Sequence, residues 1–111
     1  MSELPIEISC EDVHALRNSR SEFLLLDCRE LFEHKTARID GAQLLPMSEI
    51  QDRADELEPH REQRIIVHCH HGGRSLRVAQ WLLAQGFSQV QSMAGGIDAW
   101  SQQIDDSVPR Y

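Results

Sequence analysis

The sequence predicts an α/β protein, a three-layer α/β/α arrangement on a central, mostly parallel sheet of four or five short strands. Three observations carry this expectation. Strand-like and helix-like segments alternate along nearly the whole chain, a pattern that pairs strands in parallel through right-handed crossovers. Residues 23–26 form an unbroken apolar run ending at Asp27, as in a strand covered on both faces. Residues 64–68 (Arg-Ile-Ile-Val-His) are rich in β-branched side chains, the composition of a central strand.

The elements follow in order. Ile6, Glu7 and Ile8 alternate apolar and polar and read as a short first strand. Ser9 to Asp12 has the Ser-x-x-acid start of a helix, with Val13 and Leu16 facing inward. After the strand at 23–26, residues 30–35 read as a short helix or turn, and 41–46 as a brief strand stopped by Pro46. Ser48 repeats the helix-start pattern, predicting a helix through Ile50, Ala54 and Leu57 that Pro59 ends. Residues 75–85 form the clearest helix, with Val78, Ala79, Leu82 and Leu83 as its apolar face and Gly86 as its stop. Residues 90–93 are a last strand, and Ala94-Gly95-Gly96 turns into a helix holding Ile97 and Trp100.

At 111 residues, with no Gly-, Ser- or Pro-rich linker, the chain reads as one domain over 1–111, its core at about 6–100 and a tail at 101–111. No apolar run approaches the roughly 18 residues of a membrane span. Met1 to Pro5 lacks the basic start and apolar stretch of a secretory signal, so a cytoplasmic location is expected. The net charge of −7 argues against nucleic-acid binding, and any attraction for a small anion must be local. Three cysteines, Cys10, Cys28 and Cys69, do not describe a disulfide framework.

The chemistry concentrates after the central strand, in His68-Cys69-His70-His71-Gly72-Gly73-Arg74-Ser75. In a parallel sheet, ligands bind beyond the carboxyl ends of the strands. Here a strand delivers a cysteine, two glycines permit a tight curl, and a helix starts near Ser75. Backbone N–H groups of such a loop converge on one point, and the helix adds its positive end. A cysteine at that point is expected to be a thiolate. Arg74 adds a fixed charge and a planar fork suited to an oxyanion.

This segment resembles the active-site loop of rhodanese domains: Cys, four residues, Arg, then Ser leading into a helix. Asp27-Cys28-Arg29-Glu30 resembles the family's Asp-x-Arg signature. Residues 38–42 with Pro46 resemble its His-Ile-Pro-Gly-Ala segment, with Arg38 and Asp40 in place of His and Pro. Gly95-Gly96 and Trp100 resemble its Gly-Gly-x-x-x-Trp ending. The resemblance implies a rhodanese-like fold and a sulfurtransferase in which Cys69 carries sulfur as a persulfide, loaded from thiosulfate and unloaded by cyanide or a thiol, including a thiol protein such as a thioredoxin. It implies no cofactor. It places His70, His71, Gly72, Gly73, Arg74 and Ser75 in the persulfide-binding loop, with His70 and His71 helping Arg74 attract the donor. Asp27 and Arg29 brace the loop through hydrogen bonds and an ion pair. The six residues from Cys69 to Arg74 match sulfur-handling members, whereas phosphatases and arsenate reductases of this fold have one more.

Alternatives remain beside this reading. The same cysteine could serve a phosphatase or arsenate reductase, or a sulfur-relay module whose partner is a protein. Metal binding at His68, Cys69, His70 and His71 is disfavoured, because adjacent residues diverge and no second ligand pair with zinc-site spacing exists. Cys28 reads as structural, Cys10 as surface or half-buried, and His14, His34 and His60 as exposed. Trp81 and Trp100 read as packing residues.

Overall fold

The computed structural model describes residues 4–111; residues 1–3, on which part of the N-terminal leader reading rests, lie outside the described residues. Five strands form one parallel sheet: β1 (Glu7–Ile8), β2 (Leu24–Asp27), β3 (Gln43–Leu44), β4 (Arg64–His68) and β5 (Gln89–Met93), in the order β1-β5-β4-β2-β3. The helices are α1 (Cys10–Asn18), α2 (Leu31–Thr36), α3 (Ile50–Arg53), α4 (Gly73–Ala84) and α5 (Gly96–Gln103). The chain is therefore the three-layer α/β arrangement that the alternation of segments predicts. No helix among the described residues is long and apolar enough to cross a membrane.

Alternation along the two central strands divides the core. Leu26, Ile65 and Val67 face one cluster with Leu57, Val78 and Leu82; Leu25 and Ile66 face the other with Val13, Ile97 and Trp100. Both faces of β2 and β4 are dry, which is why those strands carry unbroken apolar runs. The same alternation continues one residue past the strands. Cys28 and Cys69 both enter the first cluster. Asp27 and His68, directly paired in register, belong to the alternate positions.

Several details differ from the sequence expectation. The helix predicted from Ser48 to Pro59 is broken into 3-10 turns at Met47–Glu49 and Ala54–His60 around the single α-turn of α3. Only Ile50 and Leu57 there are buried apolar side chains, too few for a continuous packed face, and Pro59 lacks a helical N–H. Ser48 caps nothing; its hydroxyl donates to the Glu30 carboxylate at 2.9 Å. α4 starts two residues earlier than predicted, at Gly73, with Gly72 as its cap. Leu83 lies outside the apolar face and is exposed, because Val78, Ala79 and Leu82 already fill the stripe that packs on the sheet.

Cys10 is not a surface residue. As the first residue of α1, turned toward α5, it is 2% exposed, its thiol donating to the Ala94 and Gly96 carbonyls, and burial pushes its pKa up to about 11. His34 is not free in solvent either; its Nδ1 lies 2.8 Å from Asp27 Oδ2. The segment after Trp100 is more than a tail: α5 runs to Gln103, Val108 is buried in the second cluster, and Tyr111 stacks on His70 of the loop after β4.

Candidate active site

Cys69 leaves the end of β4 and is 1% exposed. Its Sγ accepts the Gly72 amide at 3.1 Å and the Ser75 amide at 3.3 Å, and lies 3.4 Å from Ser75 Oγ. Gly72 makes this curl possible with φ +107°, a region that L side chains avoid. Of the residues expected in the loop, Gly72 and Ser75 supply the amides that meet the sulfur. Ser75 is fixed in turn by the Gly72 carbonyl at 3.2 Å and the Ser92 hydroxyl at 2.7 Å.

The loop's carbonyls are held from outside. The α5 amides of Ile97 and Asp98 donate to the carbonyls of Cys69 at 2.8 Å and His70 at 3.1 Å. With its carbonyls engaged on α5, the loop turns its N–H groups inward. This contact requires close approach: a Cβ on Gly96 would stand 2.5 Å from both carbonyl oxygens. The Gly-Gly of the C-terminal motif thus shapes the cysteine loop.

Cys28 is the partner that the sequence reading left as structural filler. Asp27 pairs with His68 across the parallel strands, and the Cys28 amide donates to the His68 carbonyl at 3.1 Å, so Cys28 stands beside Cys69 on the same face. The neighbouring Cys28 thiol, against the cost of burial, holds the Cys69 pKa well below the usual thiol range, with help from the Ser75 hydroxyl and the Ser75 and Gly72 amides. Cys28 is correspondingly pushed far up, by its bond to the Cys69 sulfur and by burial. Of the two thiols, Cys69 is the one that ionises first. Cys28→Ala removes this thiol from beside the charged sulfur; a hydrogen bond to a charged group is worth roughly 1.5–3 kcal/mol, so the Cys69 pKa is expected to rise by about 1–2 units. Iodoacetamide alkylation rates measured against pH read this directly, and an unmoved profile would rule the hydrogen bond out.

Asp27 and Arg29 form a fully buried ion pair, Nε to Oδ1 at 2.9 Å and Nη2 to Oδ2 at 2.8 Å. Burial alone would raise the Asp27 pKa; the Arg29 guanidinium, His68, His34 and the Arg29 amide together hold it down at about 2. Arg29 also donates to the Ala37 carbonyl at 2.6 Å and to Tyr111 Oη at 2.9 Å. The pair ties β2 to α2 and to Tyr111; among the described contacts neither side chain touches the loop 69–75 that it was expected to brace. His68 is wholly buried, and burial lowers its pKa to about 4, so it is neutral at pH 7.

Arg74 does not present an open fork. Its Nη1 and Nη2 donate to Glu33 Oε1 at 2.7 Å and Oε2 at 2.9 Å, and Tyr111 donates its hydroxyl to Oε2 at 2.7 Å. Arg74 and Tyr111 hold the Glu33 pKa down to about 2 against the effect of burial. His70 is sandwiched between His71 and Tyr111, each ring 3.9 Å away. Gly73, His70, His71 and Arg74 donate no backbone hydrogen bond to Sγ among the described contacts. Glu33 had a sequence signal, an acid on the short helix after Asp27-x-Arg29. Tyr111 had none. In the segment 38–42, Ile39 is buried and Gly41 turns at φ +86°, while the Asp40 carbonyl accepts Arg17 at 2.8 Å, so the turn survives with Arg38 and Asp40 exposed. No cluster of three or more His, Cys, Asp or Glu able to hold a metal occurs among the described residues.

Comparison with known proteins agrees with this geometry. The chain is 36% identical over 104 residues to the putative sulfur carrier protein YrkF of Bacillus subtilis, covering 94% of this chain and 55% of that protein. It is 31% identical over 81 residues to the thiosulfate sulfurtransferase GlpE of Coxiella burnetii, covering 73% and 74%. A solved rhodanese-related protein of Thermoplasma volcanium superposes with a TM-score of 0.79 at 27% identity, over 90% of this chain and 94% of that one. The chain spans only 37% and 23% of the length of two plant relatives that it also matches. The rhodanese-like domain model matches residues 9–103, and the chain belongs to that family.

Proposed function

We propose that this protein is a sulfurtransferase that moves a sulfane sulfur through a Cys69 persulfide, from a donor such as thiosulfate to a thiophilic acceptor such as cyanide or a cellular thiol. The observation that carries the reading is the Cys69 sulfur, buried and met by two loop amides that favour its thiolate. Cys69 attacks the outer sulfur of thiosulfate; the donor S–S bond breaks and sulfite leaves with the electron pair. The acceptor then attacks the outer sulfur of the persulfide and returns Cys69 as thiolate. The loop amides stabilise the negative sulfur as an oxyanion hole stabilises oxygen. No cofactor enters the cycle. The six-residue loop favours a single terminal sulfur over a tetrahedral oxyanion. A reducing compartment such as the cytoplasm suits three free thiols.

A second reading, relay to a thiol protein such as a thioredoxin, is favoured by one feature. Leu31 and Phe32 are 53% and 69% exposed at the start of α2, immediately before the Glu33 that holds Arg74. Such side chains give a protein partner an apolar foothold beside the loop. Intact mass measurement after thiosulfate, without reductant, tests the reading common to both. One added sulfur is expected on the wild type and none on Cys69→Ser. An unmodified wild type, together with hydrolysis of an aryl phosphate, would establish a phosphatase instead.

A further inference from the structure

We propose that Glu33 sets donor preference, by occupying the Arg74 guanidinium so that the site disfavours dianionic donors such as thiosulfate relative to persulfides of uncharged thiols. The assignment rests on the sulfurtransferase reading and deepens it. Arg74 is the one cation inside the Cys69 loop, yet both terminal nitrogens of its fork are spent on the two oxygens of Glu33. The carboxylate is 7% exposed and is fixed twice more, by the Tyr111 hydroxyl at 2.7 Å and by its own bond from the Glu30 amide at 3.1 Å. It is not a surface side chain that swings away when an anion arrives.

Two further guanidinium groups are also paired, Arg29 with Asp27 and Arg110 with Asp98. Against these neutral pairs stands the Cys69 thiolate, in a chain of net charge −7. An incoming dianion thus meets the thiolate's repulsion with the Arg74 charge already compensated by Glu33. A persulfide of an uncharged thiol carries at most one negative charge and meets about half the penalty. The chemistry is otherwise the same: Cys69 bonds the outer sulfur, the donor S–S bond breaks, and a thiolate leaves in place of sulfite.

Glu33→Gln tests this. The amide keeps the shape and can still accept from one nitrogen of Arg74, but leaves the guanidinium charge uncompensated. Unmasking one positive charge about 6 Å from the donor in a water-like dielectric predicts a gain in kcat/KM of about tenfold for thiosulfate and about threefold for the persulfide of N-acetylcysteamine. The thiosulfate-to-persulfide ratio should therefore rise about threefold, at pH 8 and fixed ionic strength. A purely structural role for Glu33 would lower both values together. An unchanged or lowered ratio overturns the proposal.

A second measurement needs no variant. On the wild type, iodoacetamide should exceed iodoacetate in alkylating Cys69 by a larger factor than it does with free N-acetylcysteamine. A factor equal to or below that of the free thiol overturns the proposal, even if Glu33→Gln fails to fold. If the wild type accepts sulfur from neither donor, the sulfurtransferase reading itself fails. Transfer from both donors with an unshifted ratio removes only the role of Glu33.

Discussion

Replacing Cys69 with serine is expected to lower sulfur transfer by about three orders of magnitude or more, because the hydroxyl is neither ionised nor able to form a persulfide. The loop itself should persist, since the serine oxygen can accept the same Gly72 and Ser75 amides. Thiosulfate-to-cyanide kinetics measures the loss, and far-UV circular dichroism with amide NMR shows whether the fold is kept. Serine also changes how stability depends on pH. The folded Cys69 ionises below the unfolded thiol. Its contribution is therefore complete above the unfolded thiol pKa and is lost as pH falls through the lower folded value. Cys69→Ser should flatten that part of the wild-type stability curve, with Asp27 and Glu33 left to shape the acid end. Retained transfer activity in the serine variant would remove Cys69 from the mechanism altogether.

Gly96→Ala is the second large effect, and it tests the contact between α5 and the loop. Gly96 has φ +61°, and a methyl group there would meet the Cys69 and His70 carbonyl oxygens at 2.5 Å. Neither neighbour is a flexible side chain; both are the backbone whose placement aims the amides at Sγ. A left-handed alanine costs about 1–2 kcal/mol and overpacking typically about 1–3 kcal/mol more, so a loss of about 2–5 kcal/mol is expected in urea denaturation. Transfer activity should fall by about 100-fold, as loop displacements of an ångström do at other sites. Gly73→Ala is the control: a methyl group there meets nothing within 4 Å and its φ is ordinary, so stability should stay within about 0.5 kcal/mol. Equal behaviour of the two alanine variants would show that the α5 contact does not shape the loop.

Most of the fold was legible because each element reports its own environment. The unbroken run at 23–26 can only suit a strand dry on both faces, and β2 is such a strand. Ser9 caps α1 as its spacing from Asp12 requires, its oxygen accepting the Asp12 amide at 3.1 Å. Prediction failed where a local pattern lacked tertiary support. Ser48 has the same start signal as Ser9, but the segment after it buries too little to hold a continuous helix, and its hydroxyl is drawn to Glu30 instead.

For the site, the sequence by itself marked the cysteine and the two glycines that let the loop curl, since these depend on neighbours within a few residues; their spacing along the chain is their geometry. The ion pair of Asp27 and Arg29 was expected from the family resemblance alone. Only the tertiary structure decided what surrounds them. Parallel pairing of β2 with β4 sets Cys28 against Cys69, 41 positions apart in sequence. The folding back of the final residues brings Tyr111 to Glu33, and Glu33 takes the fork of Arg74 that the sequence reading assigned to the donor. Charge and hydrogen-bond partners are set by distance in space. That is why the thiolate's proton balance and the fate of its nearest cation could be read only after the sheet had brought the strands together.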